Sequence, residues 1–422
     1  MTPFDFFAIL LTLSAVFGVV NHRTLRLPNT VGVLVISLLV SLVMLAADPF
    51  IPSYDLQAIS RSLLGTINLP QTLLNSVLSF LLFAGALQVD LGQLWARKLS
   101  VTALALVGTL LAVALFGGSM WLVFPLLGPA VPLVWCIVLG AILAPTDPVS
   151  VVGMLRRIGL PGPLQAVFAG ESLFNDGVGV VVFGVALGVA VGDGSMIGGT
   201  QIITRFVVEA IGGGLLGLAL GWVAMQFMRA VDDALLELII SLALATGTFS
   251  LANAFGMSGP IAVVVAGLTL GAQPNVASIS QHGRQELMTF WSLVDEVLNA
   301  ILFLLIGFEV VALSFHLSHF SAALIAIPLS VLVRAISVFL ATLPIHLRGP
   351  NRGGALVVLT WGGLRGGISV ALALGLPPSA VRPALLAICY SVVVFSIIVQ
   401  GLTVERVARR FYRMEQRQSI EP

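Results

Sequence analysis

Four polar side chains stand together in an apolar stretch, in the sequence GESLFNDG at residues 170–177. Glu171 and Asn175 are four residues apart, as are Ser172 and Asp176, so a helix would place the two pairs on adjacent faces. Carboxylate, amide and hydroxyl oxygens are hard ligands that suit Na+, Li+ or K+. A carboxylate also binds a proton. The segment therefore indicates a site at which a cation and a proton could compete.

Three further ionisable residues interrupt apolar runs elsewhere, namely Asp147, Arg334 and Arg365. With Glu171 and Asp176 they make three acids against two arginines, and an arginine stays charged. We predict an ion pair between Glu171 and Arg334. Asp147 and Arg365 suit opposite ends of broken helices, because helix dipoles favour an acid at an N-terminus and a base at a C-terminus.

Asp176 is then the carboxylate without a fixed partner. In a dry interior it must be either protonated or compensated by a bound cation, because an isolated buried charge is costly. If the site opens alternately to the two sides of a membrane, this competition produces exchange. We predict that the Asp176 carboxylate, the Ser172 hydroxyl and the carbonyl or hydroxyl of Thr146 bind Na+.

Several polar residues also fit simpler roles. Asp147 could only cap a broken helix, and Asn175 could only pack helices together. Asp295, Glu296 and Glu309 lie in a later apolar run and could face a funnel rather than bind the ion directly. Both cysteines fall inside apolar runs, so we expect neither a disulfide nor a metal–thiolate site. No cofactor is expected.

The elements that carry these residues are predicted to be membrane-spanning helices. Apolar residues make up 58% of the 422 residues and charged residues only 9%, against roughly a quarter charged in a soluble domain. Apolar runs of about 20 residues recur, each long enough to cross a bilayer. We predict an all-α polytopic membrane protein with thirteen spans at residues 4–21, 30–47, 72–89, 100–122, 133–154, 164–190, 202–227, 235–254, 261–271, 287–313, 322–344, 355–376 and 383–404.

Basic residues orient these spans in the membrane. With the N-terminus outside, most arginines and lysines fall on the inner side, whereas the outer side keeps only Arg61, Arg205 and Arg382. This predicts a multi-pass protein of the cell (inner) membrane with a cytoplasmic C-terminus. Residues 405–422 form a short basic cytosolic tail. Nothing resembles a basic patch for nucleic acid.

Two of the predicted spans contain helix-breaking sequences. The fifth contains APTDP at residues 144–148 and the twelfth contains WGGLRGG at residues 361–367. These spans occupy matching positions in two six-helix repeats, at about residues 1–190 and 234–405, with a linking helix at about 200–230. An interval of seven spans gives the repeats opposite orientations. Paired interruptions in inverted repeats indicate the midplane site of a single transporter unit, residues 1–422.

The combination of these motifs resembles the NhaP-type sodium/proton antiporters, a family that also includes the eukaryotic sodium/proton exchangers. The resemblance rests on TDP at residues 146–148, ESLFND at 171–176, Arg334, and GGLRG at 362–366. It covers essentially all thirteen spans. It implies a six-helix core domain with crossed, unwound helices, including residues of about 133–190 and 322–404. The core is expected to move like an elevator against a dimerisation domain, in a homodimer surrounded by lipid.

The resemblance also implies the roles of the site residues. Asp176 would carry the ion or proton, and Ser172 and Thr146 would be ligands. Glu171 would help through water while paired with Arg334.

Asn175 stands where electrogenic relatives have a second aspartate, which implies electroneutral exchange of one proton per cation. The expected function is therefore secondary active antiport of Na+, or of Li+ or K+, for H+ in pH homeostasis. The alternatives are a potassium/proton antiporter and, more remotely, an ion-coupled symporter or a channel. An enzyme is not expected, because no histidine accompanies Ser172 in the apolar core.

Overall fold

A computed structural model describes residues 3–47, 77–128, 130–147, 162–192, 199–231, 233–272, 281–312, 317–344 and 352–418. These residues form helices and connecting turns, without a strand among them. Within these ranges, nine helices are long and apolar enough to cross a membrane, and three apolar helices are shorter. The all-α class and the membrane-protein assignment are therefore confirmed. The total of thirteen spans and the inverted repeats remain predictions.

The described residues form a succession of helices. We number those of the described ranges as α1 Pro3–Arg23, α2 Asn29–Ala47, α3 Leu78–Leu87, α4 Leu91–Ala96, α5 Lys98–Leu127, α6 Leu133–Leu143, α7 Gly162–Val191, α8 Gly199–Arg229, α9 Ala234–Ala254, α10 Gly259–Gly271, α11 Gln281–Ala312, α12 Leu317–Thr342, α13 Arg352–Trp361, α14 Gly367–Leu374, α15 Arg382–Phe395 and α16 Gly401–Gln418.

Both predicted helix breaks are present in the described part of the chain. Helix α6 ends at Leu143, and residues 145–147 are not helical. Helix α13 ends at Trp361, and the chain stays non-helical until α14 begins at Gly367. Proline at 145 and glycines at 362, 363 and 366 explain this, because proline lacks the helical N–H donor and glycine disfavours a helix. The rest of the predicted fifth span, residues 148–154, lies outside the described residues.

Two further helices contain a local widening rather than a break. Helix α5 includes a π-helical turn at Ala103–Gly108. A second π-helical turn, Ser396–Gln400, joins α15 to α16. Such turns insert an extra residue into the helical repeat and are frequent at functional sites. Helix α16 continues as an amphipathic segment that packs against α13.

Helix α7 lies at the centre of the arrangement that carries the polar residues. It contacts α6, α10, α14 and the π-helical turn of α5. Small residues permit this close packing: a Cβ on Gly179 would lie 2.7 Å from the Pro145 side chain. Helix α7 is thereby fixed against the break that follows α6, which brings its polar residues next to residues 145–147.

Candidate ion-binding site

The two helix breaks contact each other. The Asp147 N–H donates to the Leu364 carbonyl across 2.7 Å. The Arg365 guanidinium donates to the carbonyls of Ala144 and Pro145, at 2.6 and 3.2 Å. These carbonyls lie at the C-terminal end of α6 and have lost their helical partners, so Arg365 supplies hydrogen bonds that the broken helix lacks.

Asp147 lies at the other end of this crossing. Its side chain packs against Gly366, which precedes α14 and offers no side-chain cap of its own. A Cβ on Gly366 would stand 2.7 Å from the Asp147 Cβ and 3.4 Å from its Oδ2. The base is therefore at a helix C-terminus and the acid beside a helix N-terminus, as the charges predicted. Arg365, from the second break, thus stabilises the end of α6, and Asp147, from the first break, lies beside the start of α14.

Glu171 and Arg334 form the ion pair that the charge balance predicted. Arg334 Nη1 and Nη2 each donate to one Glu171 oxygen at 2.8 Å, and both side chains are buried. Arg334 Nη2 also approaches the Leu359 carbonyl at 3.4 Å. A Cβ on Gly363 would lie 2.6 Å from Arg334 Nε, so the glycine of the second break makes room for the guanidinium. The bidentate geometry is that of a strong, charge-assisted contact.

Asn175 connects this ion pair to the first break. Its amide nitrogen donates to Glu171 Oε1 at 3.0 Å and to Thr146 Oγ1 at 2.7 Å. Its carbonyl oxygen accepts the Thr146 backbone N–H at 3.3 Å. Both amide hydrogens and the oxygen are thus engaged. Asn175 is a bridge that holds the unwound segment against α7.

The two predicted hydroxyl ligands lie next to each other. The oxygens of Thr146 and Ser172 are 2.8 Å apart, and both side chains are buried. Thr146 lines a cavity together with Asp176, whereas Ser172 is not among the residues that line it. The fold thus brings two hydroxyl oxygens to one side of the candidate site.

Asp176 differs from the other acids of this cluster. Its side chain is only 2% exposed, and within the described residues its Oδ1 has no hydrogen-bond partner. Asp147 lines the same cavity as Asp176, and Glu171 lies five residues before Asp176 on α7. A buried carboxyl oxygen in this situation needs a proton or a cation.

The cavity beside Asp176 has a volume of about 40 Å³ and two distinct walls. One wall comes from the breaks and α7, and it includes Thr146, Asp147, Asp176 and Gly366. The other comes from α3 and α11. It comprises Leu81, Leu82, Gly85, Asn299 and Leu302. Three of the four polar lining residues are on the first wall, which also has apolar residues, whereas the second wall is apolar except for Asn299.

Three acids of α11 that the sequence analysis considered, Asp295, Glu296 and Glu309, do not line the cavity. Asp295 accepts a hydrogen bond from Asn299 at 3.1 Å, so it reaches the cavity lining through that amide. Glu296 accepts one from Asn29 at 3.3 Å. A direct role of these acids in ion binding stays untested.

Two polar residues near the crossing were not predicted from the sequence. Ser396 Oγ accepts the Arg365 backbone N–H at 3.0 Å and donates to Gln400 Oε1 at 2.6 Å. Both lie on the π-helical turn and are buried. A serine and a glutamine four residues apart within the apolar run SVVVFSIIVQ were the available signal.

Crossed helix breaks, compensated charges and an acid with an unpartnered oxygen beside a cavity define a membrane transport protein. The chain belongs to the sodium/hydrogen exchanger family, whose transmembrane region matches residues 9–410. This family consists of secondary transporters, which confirms that the protein is not an enzyme.

Similar proteins cover nearly the whole chain. The Na(+)/H(+) antiporter NhaP of Pseudomonas aeruginosa is 41% identical over 97% of this chain and 97% of its own length. The Na(+)/H(+) antiporter NhaH of Halobacillus aidingensis is 32% identical over 96% of this chain and 97% of its own. The sodium proton antiporter MjNhaP1 of Methanocaldococcus jannaschii shares the fold, with a TM-score of 0.76 at 19% identity over 97% of this chain and 98% of that one.

Proposed function

We propose that this protein exchanges Na+ for H+ across the cell membrane at Asp176. The names of its relatives support the two ions, since both sequence relatives are Na(+)/H(+) antiporters. The observation that carries the assignment to Asp176 is its buried Oδ1, which has no hydrogen-bond partner among the described residues and belongs to a residue that lines the cavity. A single carboxylate that accepts either a proton or Na+ couples the two fluxes, because it cannot carry both at once.

The surrounding charges support electroneutral exchange. Glu171 is matched by Arg334 in a bidentate contact, and Arg365 is held by backbone carbonyls. Asn175, the residue before Asp176, is neutral. One carboxylate therefore changes its charge in the transport cycle, which gives one proton per Na+.

The oxygens near Asp176 suit a hard monovalent cation. The Thr146 and Ser172 oxygens are close enough together to serve as ligands of one ion, with the Asp176 carboxylate as the charged ligand. Glu171 would act through a water molecule, because both of its oxygens already bind Arg334. Li+ and K+ would compete for the same oxygens, and their relative rates would be set by the size of the site.

Alternating access would arise from movement between the two walls of the cavity. The polar wall belongs to the broken helices and α7, and the apolar wall belongs to α3 and α11. An apolar surface lets a packed neighbour slide without breaking hydrogen bonds. We therefore include in the proposal an elevator movement of the core, residues of about 133–190 and 322–404, against the remaining helices. A homodimer in the inner membrane, with its N-terminus outside, would provide the fixed part.

Exchange in proteoliposomes at a series of pH values tests this proposal. If one proton competes with one Na+, the apparent KM for Na+ rises as the pH falls, by up to about tenfold per pH unit. The same experiment with Li+ and K+ measures selectivity. The exchange should carry no net current. A steeper dependence of the KM for Na+ on pH, together with a net current, would require two protons per cation. A current without proton flux would indicate a channel.

A further inference from the structure

The π-helical turn Ser396–Gln400 makes a direct contact with the second helix break. The backbone N–H of Arg365 has no helical partner, because residues 362–366 are unwound. Ser396 Oγ accepts this N–H at 3.0 Å, and the Ser396 hydroxyl donates in turn to Gln400 Oε1 at 2.6 Å. Since the hydroxyl proton is directed at the amide oxygen, a lone pair of Oγ remains for the arginine N–H.

This contact continues to the ion-binding residues through the arginine. The Arg365 guanidinium donates to the Ala144 and Pro145 carbonyls, which immediately precede Thr146. The π-helical turn thus holds the main chain of Arg365, and the Arg365 side chain holds the segment that carries Thr146 and Asp147. The side chains of Arg365, Ser396 and Gln400 are buried, so water does not offer them a substitute partner.

A second hydrogen bond holds the same two elements together. Trp361, the last residue of α13, donates its indole N–H to Thr403 Oγ1 at 2.8 Å. Thr403 lies just after the π-helical turn, in α16. Hydrogen bonds therefore hold the second break at two points. Trp361, just before the unwound segment, bonds to α16, and Arg365, within that segment, bonds to the π-helical turn. A π-helical turn has a local geometry that differs from that of an α-helix. These contacts therefore require that residues 396–400 keep the π-helical geometry.

We infer that Ser396 and Gln400 are positioning residues of the transport reaction, which hold Arg365 so that its guanidinium places Thr146 at the ion. This inference rests on the proposed function. The two residues do not touch the ion. They act through Arg365, and their loss alters the affinity of the site for Na+ rather than the identity of its ligands.

Ser396→Ala removes the acceptor of the arginine N–H and the donor to Gln400. We expect the apparent KM for Na+ to rise by about five- to tenfold, the effect of one buried hydrogen bond, with a displaced pH profile of exchange. Gln400→Met keeps the serine but frees its hydroxyl, and should cause a smaller change in the same direction. The double variant should be no worse than Ser396→Ala, because both residues belong to one contact.

Ser391→Ala is the matched control. Ser391 lies in α15, five residues before Ser396, and among the described residues its hydroxyl donates to the Ala387 carbonyl of its own helix. A purely structural effect of serine removal would lower the amount of folded protein or the maximal rate and leave the KM and the pH profile unchanged.

The outcomes separate this inference from the proposed function. If the unmodified protein and Ser391→Ala both fail to exchange Na+ for H+, the proposed function is wrong. If both exchange, and Ser396→Ala and Gln400→Met retain their KM and pH profile, the positioning role is wrong. Should Ser396→Ala fail to fold, Gln400→Met alone decides. A raised KM for Na+ supports the positioning role, and an unchanged KM contradicts it.

Discussion

Two carboxylates of α7, Glu171 and Asp176, are five residues apart and both are buried, yet their surroundings differ. Both oxygens of Glu171 accept hydrogen bonds from Arg334, and one also accepts from Asn175. Asp176 has an oxygen without such a partner in the described part of the chain, and that residue lines the cavity. The comparison teaches that burial alone does not define an ion site. A carboxylate that is permanently compensated stabilises the fold, and one that is not can exchange its partner.

The largest expected effect comes from Asp176→Asn. The amide has nearly the same volume but does not ionise and carries no charge, so Na+-dependent proton flux in proteoliposomes should fall to the background leak. The midpoint of thermal unfolding should stay close to that of the unmodified protein, since no ion pair is lost. Glu405→Gln is a suitable control, because Glu405 is an exposed carboxylate paired with Arg409. Exchange at the unmodified rate in Asp176→Asn would refute the site assignment.

Arg334→Ala should chiefly reduce stability. It leaves Glu171 as an uncompensated charge in the interior, and breaking a buried pair costs about 3–5 kcal/mol. The expected result is a lower yield and a lower midpoint of thermal unfolding in detergent. Adding Glu171→Gln should recover part of the loss, because the stranded charge is removed.

The control for this variant is Arg409→Ala. Arg409 forms an ion pair with Glu405, but both side chains are more than 40% exposed, and such surface pairs contribute about 1 kcal/mol or less. Unchanged yield and thermal midpoint in Arg334→Ala would contradict the structural role of the pair.

A smaller effect is expected from Gly366→Ala. The added Cβ would approach the Asp147 Cβ to 2.7 Å and push apart the two crossing segments. Displacing a binding residue by a fraction of an ångström should slow exchange by about tenfold, measured as the maximal rate in proteoliposomes. Gly184→Ala in α7 is the control, since a Cβ there meets no atom within 4 Å. Equal rates in the two variants would show that the crossing tolerates displacement.

Much of the site could be predicted from the sequence because its residues are rare in their context. Acids and arginines are conspicuous in apolar runs, and proline and glycine mark the breaks at residues 144–148 and 361–367. The charge balance also predicted the pairing of Glu171 with Arg334. The contact of Ser396 with Arg365 could not be predicted, because serine in a membrane helix usually bonds to its own backbone.

The amino-acid sequence by itself determined that this protein is a helical membrane protein with two broken helices and a cluster of acids. Composition and helix-breaking residues act locally, so their consequences can be deduced from the order of residues. Only the tertiary structure decided the geometry of the predicted ion pair, in which Arg334 reaches both oxygens of Glu171 across 163 residues of sequence. It also decided that Arg365 bonds to the end of α6 and that Asp147 lies beside the start of α14, since these contacts depend on how the two segments cross in space.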